Sequence, residues 1–272
     1  MKQPIRIGTD CSGIEAPIQA LKKLKIPYIH EWSCEIDKYA RESIKANYKP
    51  KRMFEDITQP RRLPPIDLYV AGFPCTTFTH AGDRKGFDDP RGQIFFHCLN
   101  VLKKKKPTYF LFENVKGLLT HDKGNTFKVI MEHLSKLRKY DIHYKVLNTK
   151  DYGIPQNRER IFIVGVPKGQ SFTFPKPTKS KKIPKDYVDT TIKDNKKPPL
   201  CVRDVIKKSK GIFLDINWVR MVSPNNYQTY TPTLCANNAI WCKPMKRYAT
   251  VKELLSLQGF PKNFKQVYLI LK

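Results

Sequence analysis

Along the first 165 residues, short apolar runs alternate with segments whose apolar residues recur every three to four positions. The runs Ile5–Thr9, His30–Cys34, Ile66–Ala71 and Tyr109–Glu113 predict strands, and Tyr144–Asn148 and Ile161–Val166 predict a last pair. Between them Ala16–Leu24, Tyr39–Tyr48, Phe95–Lys105 and Phe127–Arg138 carry helical spacing. Strands alternating with helices predict an α/β fold, a parallel sheet with helices on both faces. Ligands in such folds lie beyond the carboxyl ends of the strands. The pattern fades after residue 168, where six prolines fall between Pro167 and Pro199. Short, irregular strand-like pieces follow over Gly211–Cys242, and Thr250–Gln258 predicts a short helix. The chain therefore divides into 1–168, an irregular region 169–245 and a closing segment 246–272, with no internal repeat.

Charge changes this picture by naming a class of partner. Lys and Arg number 51 and Asp and Glu 24, a formal charge of +27. Such a charge repels itself in the compact state and points to a polyanion. With 40% hydrophobic and 11% aromatic residues the chain has material for a core, which excludes a disordered basic tail. The segment Lys168–Lys210 holds 13 Lys and Arg against four Asp. It reads equally as a solvated linker and as a grip on a nucleic-acid backbone. MKQPIRIGTD has no apolar core of a secretory signal, and no run approaches the roughly 20 apolar residues of a membrane span. Seven cysteines, an odd count without any Cys-x-x-Cys pair, suggest neither a disulfide framework nor a zinc site. A reducing compartment, cytoplasmic or nuclear, and no metal are expected.

Candidate chemistry falls at the predicted strand ends. Glu35 closes the second strand, where a carboxylate can accept both hydroxyls of a ribose; alone it reads as a surface acid. Asp56 follows another break and can accept an adenine amino group, again a weak signal by itself. Gly72-Phe73-Pro74-Cys75 is stronger, because a strand delivers a thiol into a loop opened by proline. A buried structural cysteine would sit in an apolar strand instead. Phe112-Glu113-Asn114-Val115 ends the next strand with an acid, so a nucleophile and a carboxylic acid lie on neighbouring strand ends. Gln156-Asn157-Arg158-Glu159-Arg160 adds two guanidiniums suited to phosphate or a base carbonyl, or to a salt-bridged loop.

In this order the segments resemble the C5-cytosine DNA methyltransferases. The family's motifs match Gly13-Ile14-Glu15-Ala16, Glu35-Ile36-Asp37, Asp56-Ile57, Gly72-Phe73-Pro74-Cys75, Arg91-Gly92-Gln93-Ile94-Phe95, Glu113-Asn114-Val115, Gln156–Arg160 and Leu257-Gln258-Gly259-Phe260-Pro261. The resemblance implies a Rossmann-like methyltransferase sheet with a small target-recognition domain, and methyl transfer from S-adenosylmethionine to C5 of cytosine in double-stranded DNA. It implies a cofactor site at Cys11, Ser12, Gly13, Ile14, Glu35, Ile36, Asp56, Ile57, Gly72, Pro74 and Ile94. Glu35 would take the ribose and Asp56 the adenine amino group, with Ile36 and Ile57 packed against the adenine ring. Cys75 would attack C6, Glu113 would hold N3, Arg160 would contact the cytosine O2 and Arg158 the nearby phosphates. Thr79, Arg158 and Gln258 would touch DNA, the base would be flipped out, and the protein would act as a monomer in a bacterial, viral or nuclear setting.

The match departs from the family at four points. Cys11 stands where an aromatic is usual, Thr76 follows the nucleophile in place of Gln, and the recognition region, 169–245, is short. The family's Gly-Asn-rich final helix has no counterpart in Phe264–Lys272 or ahead of Gly13, from which weakened cofactor binding is expected. Two other readings keep the same residues: a tRNA cytosine methyltransferase, whose Cys-Phe-Thr marker is missing from 169–245, and a catalytically weakened DNA-binding relic. If the Lys-rich segment grips phosphates, affinity for duplex DNA falls steeply between low and physiological salt in a titration followed by fluorescence anisotropy. An affinity unchanged by salt overturns that reading.

Overall fold

A computed structural model describes residues 3–74, 92–178, 182–194, 197–217, 229–235 and 239–267. The chain divides into two compact units. The first takes residues 1–147, 160–174 and 265–267. Its elements are β1 (Ile5–Asp10), α1 (Ala16–Lys23), β2 (Tyr28–Cys34), α2 (Lys38–Asn47), β3 (Arg52–Phe54), β4 (Leu68–Ala71), α3 (Ile94–Lys105), β5 (Tyr109–Val115), α4 (Asn125–Ser135), β6 (Tyr140–Asn148) and β7 (Glu159–Pro167). Seven strands form one sheet in the order β3-β2-β1-β4-β5-β7-β6, flanked by helices.

The pairs β2–β3, β1–β2, β1–β4 and β4–β5 are parallel, as the alternating pattern predicts. The pair β5–β7 is antiparallel, which corrects the expectation of an all-parallel sheet. The physical reason is the short connection over residues 149–158, which holds no crossover helix, and a parallel return needs one. The α4 crossover carries the chain past the place beside β5, and β7 comes back into it. β3, three residues long, is too short to show any alternation and went unpredicted.

The core lies between the sheet and its helices. Trp32, Tyr69, Phe95, Phe110 and Phe112 have no exposed surface, and such burial contributes about 2–3 kcal/mol per ring. Phe112 meets Tyr69 and Phe73 edge to face, both with ring centres 5.9 Å apart. Phe110 lies directly opposite Gly165 on β7. A Cβ at Gly165 would fall 1.9 Å from the Phe110 ring, so only glycine admits this strand beside that ring.

The second unit takes residues 148–159, 175–264 and 268–272. It holds α5 (Arg203–Lys208), a three-stranded antiparallel sheet of β8 (Phe213–Asp215), β9 (Ile240–Cys242) and β10 (Arg247–Tyr248), and α6 (Val251–Leu257). Phe213, Leu234, Leu254 and Leu257 pack into one small core, and Val202, Ile206, Leu214 and Trp241 into another. These cores are small, and a buried ion pair ties their elements together.

Arg247, with no exposed surface, places Nη1 and Nη2 each 2.9 Å from the Glu253 carboxylate. Its remaining donors reach the carbonyls of Ile192, Tyr248 and Asp189. Glu253 also caps α6 by accepting from the Thr250 backbone N–H at 2.7 Å, while Thr250 Oγ1 accepts from the Glu253 N–H. Burial pushes the Glu253 carboxyl up, but hydrogen bonds from Arg247, Thr250 and Asp189 outweigh it and hold it below the ordinary 4.5. Its stabilisation is therefore present above that value and is lost as pH falls through the lowered one. Glu253→Gln leaves a buried guanidinium without its counter-ion and should cost about 3–5 kcal/mol. Chemical unfolding of the protein measures this, and the variant should lose less stability in acid than the parent, since Asp189 and other lowered carboxylates remain.

Candidate functional site

The strand ends of the first unit converge through a tight turn after β1. Cys11, Gly13 and Glu15 all have left-handed backbone, with φ of 50°, 53° and 65°. The turn is held by the Ser12 N–H on the Cys34 carbonyl at 3.1 Å and the Glu15 N–H on the Ser12 carbonyl at 2.9 Å. The Ser12 hydroxyl is consumed within the turn, bonded to Thr9 and to the Cys34 backbone. What the turn presents outward is backbone, and the Gly13 N–H donates to Glu35 Oε2 at 2.7 Å.

Glu35 follows β2 and takes a second N–H, from Asp37, on Oε1 at 2.9 Å. Burial raises its carboxyl above the ordinary value, only partly offset by the Asp37 and Gly13 hydrogen bonds. Next to it Ile36 is 76% exposed, a large apolar side chain uncovered at the end of a buried strand. Asp56, after β3, accepts from the backbone and hydroxyl of Thr58, both at 2.8 Å, and these bonds hold its carboxyl below the ordinary value. Ile57 is 8% exposed, and Ile94 is half-buried at the start of α3.

Two buried polar clusters that the sequence reading missed support this turn. Asp10 accepts from both Nη atoms of Arg61 at 2.6 and 3.0 Å, from Trp32 Nε1 at 3.1 Å and from the Tyr69 hydroxyl at 2.7 Å. Glu15, fully buried, accepts on Oε1 from Thr9 and Ser33 hydroxyls, both at 2.5 Å, with His30 Nε2 at 3.2 Å. Its Oε2 and His30 Nδ1 have no hydrogen-bond partner. The one available signal was an acid placed directly inside the Gly13 turn, where nothing in the local pattern calls for a charge.

The second half of the site lies on β4, β5 and β7. Register sets Ala71 opposite Phe112, so Gly72 and Glu113 stand side by side just past the end of β4. A Cβ at Gly72 would lie 3.4 Å from Glu113 Oε2 and 3.9 Å from the Cys11 carbonyl, which joins the two halves of the site. Phe162 faces Glu113 and Arg160 faces Val115, so Arg160 is the diagonal same-face neighbour of Glu113. Its Nε stands 3.0 Å from Glu113 Oε1, with the pair half-shielded at 14% and 33% exposure. Asn114 points to the other face and donates through Nδ2 to the Phe73 carbonyl at 3.1 Å. It thereby pins the segment that leads through half-buried Pro74 to Cys75.

Cys75, Thr79 and Arg91 lie outside the described residues. Burial pushes the Cys11 thiol well up and Cys34 to about 12, and it raises Cys98 as well, so these three stay protonated near neutral pH. Arg158 and Gln258 belong to the second unit. There Arg158 Nη1 lies 3.5 Å from the Leu234 carbonyl, and its N–H donates to Asn148 Oδ1 at 3.0 Å. Exposed Gln258 ends α6. The loop carrying Gln156 and Asn157 is laced to Thr231 and Thr233 by backbone and hydroxyl bonds.

Comparison with known proteins supplies the family. Residues 10–233 match the family model for C-5 cytosine-specific DNA methylase. The chain is 38% identical over 245 residues to the Type II methyltransferase M.NgoBI of Neisseria gonorrhoeae, covering 86% of this chain and 76% of that one. It is 40% identical over 249 residues to the Type II methyltransferase M.HaeII of Haemophilus aegyptius, with the same coverage. Among solved structures the fold resembles the Entamoeba histolytica methyltransferase EhMeth, with a TM-score of 0.67, 17% identity and coverage of 100% and 91%. It also resembles a Spodoptera frugiperda DNMT2 mutant, with a TM-score of 0.69, 18% identity and coverage of 96% and 90%. With motif order, strand-end geometry and sequence in agreement, the chain belongs to the C-5 cytosine-specific DNA methylase family.

Proposed function

We propose that the protein transfers a methyl group from S-adenosylmethionine to C5 of cytosine in double-stranded DNA, through base flipping and a covalent bond from Cys75 to C6. The observation that carries this reading is the Glu113–Arg160 pair beside Gly72. It is an acid oriented by a guanidinium, beside a glycine that precedes the Cys75 thiol by three residues. C5 of an aromatic pyrimidine is a poor nucleophile, and addition of a thiolate at C6 divides one hard step into easier ones. Glu113 holds and protonates N3, which makes C6 electrophilic and leaves C5 enamine-like. Arg160 orients Glu113 and reaches the cytosine O2. After C5 has taken the methyl group, loss of the C5 proton and departure of the Cys75 sulfur restore the ring.

The residues after β1, β2 and β3 suit the cofactor. Glu35 offers a shielded carboxylate to ribose hydroxyls, exposed Ile36 an apolar face to adenine, and Asp56 an acceptor to the adenine amino group. When bound, S-adenosylmethionine supplies an electrophilic methyl on its sulfonium. Residues 169–245 serve as the target-recognition region and 246–272 as the return to the catalytic domain, and Arg158, Thr79 and Gln258 contact the DNA. The relatives' names point to a restriction-modification setting.

Cys75→Ala should abolish transfer of labelled methyl to duplex DNA while retaining cofactor binding; an active variant overturns the covalent mechanism. The same assay with tRNA in place of duplex DNA distinguishes the two substrates, and label on tRNA alone overturns the DNA reading. Because Glu35 is raised by burial, the folded protein holds its proton to a higher pH than a free glutamate. Ribose hydroxyls donate to the ionised form, so S-adenosylhomocysteine affinity should fall as pH drops through a midpoint above 4.5. In Glu35→Gln that pH dependence should vanish in calorimetric titrations.

A further inference from the structure

A cavity of about 360 Å³ opens in the first unit between the chain at 57–63 and one face of α3. Ile57, Leu63 and Val101 give it an apolar base, and Arg61, His97 and Lys104 are among its polar walls. No acid lines it. The cations differ in what already occupies them. Arg61 is taken up by Asp10, and Lys105, also in the lining, donates to the Leu63 carbonyl. Lys104 is exposed and has no ion pair among the described residues, and His97 is half-buried with no hydrogen bond among them. Lys104, in the Lys103–Lys106 run at the end of α3, thus brings an exposed ammonium to the mouth of the cavity.

The position of this cavity gives it meaning. Ile57, the residue assigned to the adenine ring, is also part of the cavity wall, and Thr58, which bonds Asp56, is another. On α3, His97 stands one turn after Ile94, another residue that the resemblance places in the cofactor site. An apolar base with an exposed ammonium at its rim, not engaged by an acid, suits a short hydrocarbon arm ending in an anion.

We propose that the cavity is an anion-selective subsite continuing the adenine end of the cofactor pocket, and that it takes a carboxylate carried on a short alkyl arm from the exocyclic nitrogen of adenine. This rests on the assignment of Asp56 and Ile57 to adenine. Calorimetric titration of the full chain with three probes tests it: S-adenosylhomocysteine, its N6-carboxybutyl derivative, and the uncharged N6-pentyl derivative.

The acid derivative should bind at least as tightly as S-adenosylhomocysteine and about two- to fivefold more tightly than the pentyl derivative, the ratio expected of a charge pair made by an exposed lysine. Lys104→Ala should remove that preference and Lys104→Glu reverse it, with S-adenosylhomocysteine bound equally by parent and variants. Lys104 is a surface residue, so neither change threatens folding. Acid binding about tenfold or more weaker than S-adenosylhomocysteine, or a preference that survives Lys104→Glu, overturns the subsite alone. Failure of S-adenosylhomocysteine itself to bind overturns the cofactor reading and the subsite with it.

Discussion

The first unit is organised around one buried carboxylate. Asp10 sits at the end of the central strand β1 with 1% of its surface exposed. An ion so placed is tolerated only when its oxygens are fully matched. Here the match comes from Trp32 on β2, Tyr69 on β4 and Arg61 on the segment between β3 and β4. Satisfying that one charge fixes three neighbouring pieces of chain against β1. The turn that carries Gly13 starts at the next residue, and Gly72 follows Tyr69 by three positions. The geometry of the site is thus set from below, by a carboxylate buried beneath the turn.

The Glu15 cluster extends the same logic to the other side of the turn. Two hydroxyls and an imidazole meet one carboxylate oxygen, and Glu15 itself adopts left-handed backbone to bring it there. The network is only partly matched, since Glu15 Oε2 and His30 Nδ1 lack partners, but the bonds to Oε1 tie Thr9 and Ser33 to the Cys11–Glu15 turn, which presents backbone outward. That explains why Ser12 lies inside with its hydroxyl consumed, and why Cys11, with its thiol pushed up by burial, has no use as a nucleophile.

Much of this was legible in the sequence because it is local. Strands and helices of ordinary length followed from the apolar spacing, and Glu35, Asp56 and Gly72 stand where a strand ends, whereas β5 continues two residues past Glu113 because it pairs with β7 there. What was not legible depends on distant partners. Asp10 and Arg61 are 51 positions apart, and nothing in either neighbourhood marks them as a pair. The reversal of β7 is a property of the space left beside β5. The helix α5, six residues rich in lysine, is too short to show a period. In the second unit the Arg247–Glu253 pair replaces an extended apolar core, so hydropathy alone read that region as irregular.

The contact between Phe110 and Gly165 bears on how the sheet is assembled as the chain is made. β6 emerges before β7, and at that moment the edge of β5 is open. β6 runs Tyr140-Asp141-Ile142-His143-Tyr144-Lys145-Val146-Leu147-Asn148, without a glycine. Any of these residues set opposite Phe110 would drive a side chain toward the aromatic ring. β6 instead takes the outer edge of the sheet, from which Tyr140 still meets the Phe110 ring edge-on at 5.1 Å. A single missing side chain on β7 thus decides which of two strands of similar length fits beside β5.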